Sequence, residues 1–290
     1  MENSTMAAKL LLEQLISPEQ LAPMLSDPDW VVVDCRFSLG DRNLGQQQYQ
    51  TAHIPGAVYA DLERDLSGPV GPHGGRHPLP VIDRLVDQLG FWGIDADRWV
   101  AVYDDSQFGF AARFWWLLRY LGHDRVVLLD GGWSAWRRAG LPTTSQPSHP
   151  IVRQFVPRPR LELLASIDTI KQAQRLAEGT VIDSREPARY RGEVEPIDPV
   201  AGHIPGAINY PWVQVCDPEG RAHSIASLKS HFQDLPPNPP PIVYCGSGVT
   251  ACVNLWALAR AGLPQARLYA GSWSDWCSYP DLPKVTAPAE

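Results

Sequence analysis

Pro241-Ile242-Val243-Tyr244-Cys245-Gly246-Ser247-Gly248-Val249-Thr250-Ala251-Cys252 runs from an apolar segment through a loop of small residues into a helical pattern. Ile242 to Tyr244 reads as a buried strand, and apolar residues recur at helical spacing from Ala251 to Ala261. A strand feeding a helix through a tight loop is the building unit of a parallel sheet covered on both faces. In such sheets, sites form where strands end and helices begin, and Cys245 occupies that point. Loop N–H groups backed by a helix N-terminus stabilise an anion without lysine or metal. A free thiol ionises near pH ~8.5, and a site of this kind favours the thiolate. Gly246 and Gly248 let the backbone turn tightly, with no Cβ in the way. Cys245 is therefore read as a nucleophile. The blander reading, a buried inert cysteine, suits Cys252 one helical turn further on.

The same pattern occurs twice in the chain. Val31-Val32-Val33-Asp34-Cys35-Arg36 returns as Thr180-Val181-Ile182-Asp183-Ser184-Arg185, and His53-Ile54-Pro55-Gly56-Ala57 returns unchanged at His203 to Ala207. Gly131-Gly132-Trp133-Ser134-Ala135-Trp136 returns as Gly271-Ser272-Trp273-Ser274-Asp275-Trp276, in the same order along the chain. Three matches in register imply a tandem of two similar α/β domains. We place them at residues 8–145 and 160–290, joined by a Pro-rich, aperiodic stretch. Strands are expected at Trp30 to Val33, Trp99 to Tyr103 and Val126 to Leu129 in the first copy. Thr180 to Ile182, Ile242 to Tyr244 and Ala266 to Tyr269 answer them in the second. His53 and His203 occur in both copies, which argues for a structural turn rather than catalysis. The paired tryptophans Trp116/Trp256 and Trp133/Trp273 read as core.

The copies diverge where the chemistry would lie. The offset between the Trp-bearing segments sets Asp105 opposite Cys245, so the first copy is expected to be non-catalytic. It is also longer, and the extra residues fall in Ser67-Gly68-Pro69-Val70-Gly71-Pro72-His73-Gly74-Gly75-Arg76-His77-Pro78. That loop either reaches toward the site of the second copy or is a solvated surface loop.

Composition narrows the function further. The 290 residues suffice for two domains, and a net charge of −7 gives no support for nucleic-acid or membrane-surface partners. Five irregularly spaced cysteines form neither a metal-ligand pattern nor a disulfide framework, which suits a reducing, cytoplasmic setting. The first eighteen residues carry no basic stretch followed by a sustained apolar core, so no signal peptide or membrane span is read there.

Together these motifs resemble the tandem-domain rhodanese-type sulfurtransferases over nearly the whole chain. The resemblance implies two tandem rhodanese-like domains, each a parallel sheet of about five strands flanked by helices, with the active cysteine confined to the second. It implies that Cys245 takes a sulfane sulfur from a small anionic donor, holds it as a persulfide and passes it to a thiol, a thioredoxin-like protein or cyanide, without cofactor or metal. The loop Cys245-Gly246-Ser247-Gly248-Val249-Thr250 is similar to that of 3-mercaptopyruvate sulfurtransferases. Thiosulfate sulfurtransferases, the alternative, usually carry basic residues in this loop. By the same resemblance Ser247, His77 and Glu63 act together on the donor, and Arg189 binds its carboxylate. Gly246, Gly248, Val249 and Thr250 line the donor site. Arg185 is included with that substrate-binding set, although pairing with Asp183 is the stronger reading because Arg36 holds the same place in the first copy. The stretch Glu195-Pro196-Ile197-Asp198-Pro199 departs from the family pattern: Ile197 stands where a second substrate arginine is expected, which predicts weaker donor binding. Two other classes fit the sequence less well. A cysteine phosphatase needs an arginine closing the loop, and none lies between Cys245 and Cys252. A non-catalytic binding module is disfavoured by an intact cysteine loop beside a degenerate copy.

Overall fold

The structure, a computed structural model, describes residues 2–176, 179–236, 238–263 and 265–286. The chain divides into two compact units. The first comprises Met1–Ser67, Pro80–Arg160 and Cys216–Ala222; the second comprises Gly68–Leu79, Leu161–Val215 and His223–Glu290. The long loop of the first sequence repeat therefore belongs to the second unit, and a short segment of the second repeat belongs to the first. Among the described residues, no helix is long and apolar enough to cross a membrane.

The first unit is built on five parallel strands: β1 (Leu15–Ile16), β2 (Trp30–Asp34), β3 (Val58–Tyr59), β4 (Trp99–Tyr103) and β5 (Val126–Leu129), in the order β1-β5-β4-β2-β3. The second contains β6 (Val181–Asp183), β7 (Ile208–Asn209), β8 (Ile242–Tyr244) and β9 (Arg267–Leu268), also parallel and in the order β7-β6-β8-β9. The place of β1 is held in the second unit by a single parallel bridge, Leu164 to Leu268. Burial explains the strand sequences. Val33, Val102, Leu128, Ile182 and Val243 are fully or nearly fully covered, as parallel strands packed on both faces must be.

Each repeated motif has a structural task performed twice. Arg36 pairs with Asp34 at 2.6 Å and donates to the Ala52 carbonyl; Arg185 pairs with Asp183 at 2.7 Å and donates to the Gly202 carbonyl. The guanidiniums lie 4.4 Å from the Trp133 ring and 4.8 Å from the Trp273 ring. His53 and His203 stack on Tyr49 and Tyr190 at 3.9 Å, each with Nδ1 against the carbonyl of the residue it stacks on. The indoles of Trp136 and Trp276 donate to Pro142 and Pro283. These buried groups are satisfied locally, so the repeated histidines and tryptophans hold the frame together.

Strand register corrects the alignment of the two active-site loops. Asp34 lies opposite Tyr103, and Asp183 lies opposite Tyr244, so Tyr103 matches Tyr244 and the next residue, Asp104, matches Cys245. The hydrogen bonds agree: Trp133 N–H donates to the Asp104 carbonyl, and Trp273 N–H donates to the Cys245 carbonyl. Asp105, taken from sequence as the counterpart, sits one residue further on. The error arises because the first loop has an extra residue before its helix Ala111–Tyr120, compared with the loop before Ala251–Arg260.

Asp104 also explains its loop. Its buried carboxylate accepts the N–H groups of Ser106 (2.9 Å), Phe108 (3.1 Å), Phe110 (2.8 Å) and Ala111 (2.8 Å). The side chain thus fills the anion cradle that its own loop and helix N-terminus create. Asp104→Ala should strip four buried donors of their acceptor and cost on the order of 3 kcal/mol. Calorimetry should register this as a Tm lower by roughly 5–10 °C, with turnover per folded molecule preserved.

Candidate active site

Cys245 caps the C-terminal end of β8 and is 2% exposed. Its loop is pinned from behind by the repeated Gly-Ser-Trp segment. Cys245 N–H donates to Ser272 Oγ at 3.1 Å, Trp273 N–H to the Cys245 carbonyl at 3.0 Å, and Ser274 N–H to the Gly246 carbonyl at 2.9 Å. Gly248 has φ +76°, and a Cβ there would lie 2.2 Å from the Ala270 carbonyl oxygen, so this position admits glycine alone. The N–H groups of Gly246, Ser247, Val249 and Thr250 make no hydrogen bond among the described residues. In the first unit the equivalent loop spends its N–H groups on the carboxylate of Asp104; in the second unit the residue in that register is Cys245.

The other cysteines have different surroundings. Burial, then the charges of Asp34, Asp104 and Asp65, pushes the Cys35 thiol well up. Burial followed by Asp217 raises Cys216 to about 12, and burial followed by Asp198 raises Cys277 to about 11. Cys252 is core, and its thiol donates to the Gly248 carbonyl at 3.4 Å.

The loop Gly68–Leu79 packs within the second unit, which settles the choice left open by its composition. His73 Nδ1 lies 2.7 Å from Ser278 Oγ, and its ring stacks on Tyr279 at 4.0 Å. Gly74 N–H donates to Asp275 Oδ1 at 2.7 Å, and Arg76 N–H to Ser274 Oγ at 3.1 Å. These anchors deliver His77, which is buried, with Nδ1 2.8 Å from Ser247 Oγ. The structure therefore brings Cys245, Ser247, His77 and Arg189 together in one unit. Glu63 is in the first unit, where its carboxylate lies 3.2 Å from Arg42 Nε.

Three arginines and three carboxylates form a cluster beside the cysteine loop. Arg185, placed by resemblance among the substrate-binding residues, is instead a buried structural residue held by Asp183, by Glu195 at 3.2 Å and by the Gly202 carbonyl. Arg189 donates to Glu195 Oε1 at 2.7 Å and meets Asp198 Oδ2 at 3.4 Å. Asp198 also pairs with Arg76. Burial alone would raise the Glu195 carboxyl, but the Arg189 bond, the N–H groups of Asp198 and Ile197 and the Arg189 charge hold it below its ordinary value. Burial outweighs the Arg76 pairing at Asp198 and moves that carboxyl up. Ile197 is 45% exposed and contributes only its backbone N–H, donated to Glu195.

Sequence reasoning missed Asp198, Glu195, Ser272 and Ser274. Their only signal was position: two follow Arg189 closely in the sequence, and two lie in the repeated Gly-Ser-Trp segment. Among the described residues, no group of three or more His, Cys, Asp or Glu side chains could hold a metal ion.

Comparison with known proteins identifies the family. The rhodanese-like domain family matches residues 17–139 and 166–279. A "Probable 3-mercaptopyruvate sulfurtransferase" of Pseudomonas aeruginosa is 49% identical over 279 residues, covering 94% of this chain and 98% of the relative. The 3-mercaptopyruvate sulfurtransferase of Escherichia coli (strain K12) is 34% identical, covering 92% and 96%; the thiosulfate sulfurtransferase of Mus musculus is 32% identical, covering 93% and 94%. The crystal structure of the 3-mercaptopyruvate sulfotransferase SseA from Escherichia coli superposes with a TM-score of 0.80 at 33% identity, covering 90% of this chain and 99% of that one. The His-bearing loop, the Cys-loop and the Gly-Ser-Trp pin thus lie in a chain matched along both of its repeats, and the chain belongs to the rhodanese-like domain family and is a sulfurtransferase.

Proposed function

We propose that the protein moves a sulfane sulfur from 3-mercaptopyruvate through a persulfide on Cys245 to a thiol, a thioredoxin-like protein or cyanide. The observation that carries this reading is the contact of His77 with Ser247 inside the Cys245 loop. The Cys245 thiolate attacks the donor sulfur, forming an S–S bond. The donor C–S bond breaks, and its electron pair leaves as the enolate of pyruvate. Loop N–H groups and the Ser247 hydroxyl stabilise negative charge on the donor's carbonyl oxygen, and His77 supplies the proton that converts enolate to pyruvate. The acceptor then attacks the outer sulfur and releases the Cys245 thiolate. Arg189 binds the donor carboxylate by a charge-assisted contact.

Residues 8–145 and 160–290 are the non-catalytic and the catalytic repeat, the loop Gly68–Leu79 with His77 excepted because it belongs to the second unit, and the carboxylate of Asp104 supports the first assignment because it occupies its own anion cradle. The chemistry needs neither cofactor nor metal, and five irregularly spaced cysteines with no disulfide framework suit work in the cytoplasm. Steady-state comparison of 3-mercaptopyruvate with thiosulfate, using cyanide as acceptor, tests the donor. The expected result is a higher kcat/KM with mercaptopyruvate, because thiosulfate leaves as sulfite and would favour positive charge within the loop. A higher kcat/KM with thiosulfate would reverse the assignment.

A further inference from the structure

A cavity of about 240 Å³ opens in the first unit. Ala96, His123 and Arg125, which line it, lie just ahead of β4 and β5, so it sits at the end of the sheet opposite the Asp104 loop. The Pro-rich stretch between the repeats closes the other side with Phe155, Val156 and Arg158. Backbone contacts fix that closure. Arg158 N–H donates to the Leu121 carbonyl and Arg160 N–H to the Tyr120 carbonyl, both at 2.8 Å. A Cβ on Gly122 would lie 2.8 Å from Arg158 Cβ, so the stretch lies flat on the end of helix Ala111–Tyr120. The volume is below the roughly 300–1,000 Å³ of drug-sized sites and suits a compact ligand.

His123 is 3% exposed, and its Nε2 lies 3.3 Å from the Arg125 carbonyl. A carbonyl only accepts, so Nε2 carries the hydrogen. Burial lowers the imidazole pKa from its ordinary value, against the Arg125 carbonyl bond and the Asp124 charge, which raise it. The ring is therefore neutral near pH ~7, and Nδ1 is a lone-pair acceptor. That atom is buried and has no hydrogen-bond partner among the described residues, where buried polar groups are ordinarily paired. The rim is cationic although the chain carries a net charge of −7: residues Thr143 to Arg160 include three arginines and no acid. Arg125 donates to the Asp97 carbonyl, and neither it nor Arg158 pairs with a carboxylate among the described residues. Asp124, the acid at the rim, is taken up by Arg160 at 2.6 Å and Arg119 at 3.4 Å.

We propose that this cavity is a second ligand site, separate from the Cys245 loop, for a small organic anion: its acid group meets Arg125 and Arg158, its apolar body packs on Leu121 and Phe155, and a hydroxyl or N–H of the ligand donates to His123 Nδ1. The site is independent of the sulfur-transfer reading, because every group in it belongs to the first unit.

The test is calorimetric titration of the full-length protein with three probes. Para-hydroxybenzoate carries the acid, the apolar body and the donor; benzoate lacks the donor; para-hydroxybenzyl alcohol lacks the charge. Para-hydroxybenzoate is expected to bind at one site per chain, with each of the other two about tenfold weaker. Arg158→Gln, a change at an exposed side chain, should weaken para-hydroxybenzoate about fivefold and leave para-hydroxybenzyl alcohol unchanged. His123→Phe keeps a ring but removes the acceptor, and should bring para-hydroxybenzoate down to the affinity of benzoate. In the wild type, para-hydroxybenzoate should shift the imidazole nitrogen NMR signal of His123, a readout that needs no variant to fold. No saturable binding up to about 10 mM would overturn the proposal, as would equal affinities for benzoate and para-hydroxybenzoate. Binding that is unchanged in Arg158→Gln and leaves the His123 signal unmoved would place the ligand elsewhere and overturn it too.

Discussion

Cys245→Ser should abolish sulfur transfer, with kcat falling on the order of 10⁴-fold or more, the scale seen when a nucleophile is removed from a covalent mechanism. A serine hydroxyl cannot hold a transferable sulfane sulfur, so the loss is chemical rather than one of affinity. Intact-mass analysis of the wild type after donor treatment should show one added sulfur atom, removed by cyanide, and the variant should show none. The remaining cysteines are poor substitutes. Cys35, Cys216 and Cys277 are held as thiols by burial and neighbouring carboxylates, and Cys252 is turned into the Gly248 carbonyl. Full turnover in the variant would remove Cys245 from the mechanism.

His77→Ala should lower kcat with 3-mercaptopyruvate about 10²-fold, a typical share for one group handling a proton. The enolate formed when the donor C–S bond breaks must be protonated, and the imidazole sits 2.8 Å from the Ser247 hydroxyl that stabilises it. Sulfite leaving from thiosulfate needs no such proton, so the same variant should lose much less with that donor. Ser247→Ala should show the same donor-dependent loss. The double variant should be little worse than either single one, because the two side chains act as a unit. Equal losses with both donors would mean that His77 holds the loop rather than moving a proton.

The degenerate copy gives a physical comparison for the active one. In the first unit a carboxylate at position 104 gathers four N–H groups, which shows what this loop geometry does when a negative side chain is built into it. In the second unit the residue in register is Cys245, and four loop N–H groups have no partner among the described residues. The carboxylate at this strand end fills the cradle in the first unit, and the second unit has a cysteine there.

The repeats, the α/β class and the cysteine were legible in the amino-acid sequence, because each is a local property. Strand–loop–helix order follows from apolar periodicity, and a Gly-Ser-Gly loop after a strand limits the backbone to a tight turn. The same locality made His53 and His203 readable as structural, since a motif needed in both copies answers to the frame they share. Tertiary structure decided what local pattern does not encode. The match of Asp104, not Asp105, to Cys245 depends on strand register, which an extra loop residue hides from a fixed offset. The docking of Gly68–Leu79 in the second unit depends on contacts of Gly74, Arg76 and His77 with residues about 170 to 200 positions away. Arg185 and Arg189 are separated by a single turn of chain, yet one is consumed by Asp183, Glu195 and a carbonyl while the other, held by Glu195 and Asp198, lies with its guanidinium beside Gly246. That difference is one of burial and partner geometry, and only the folded chain determines it.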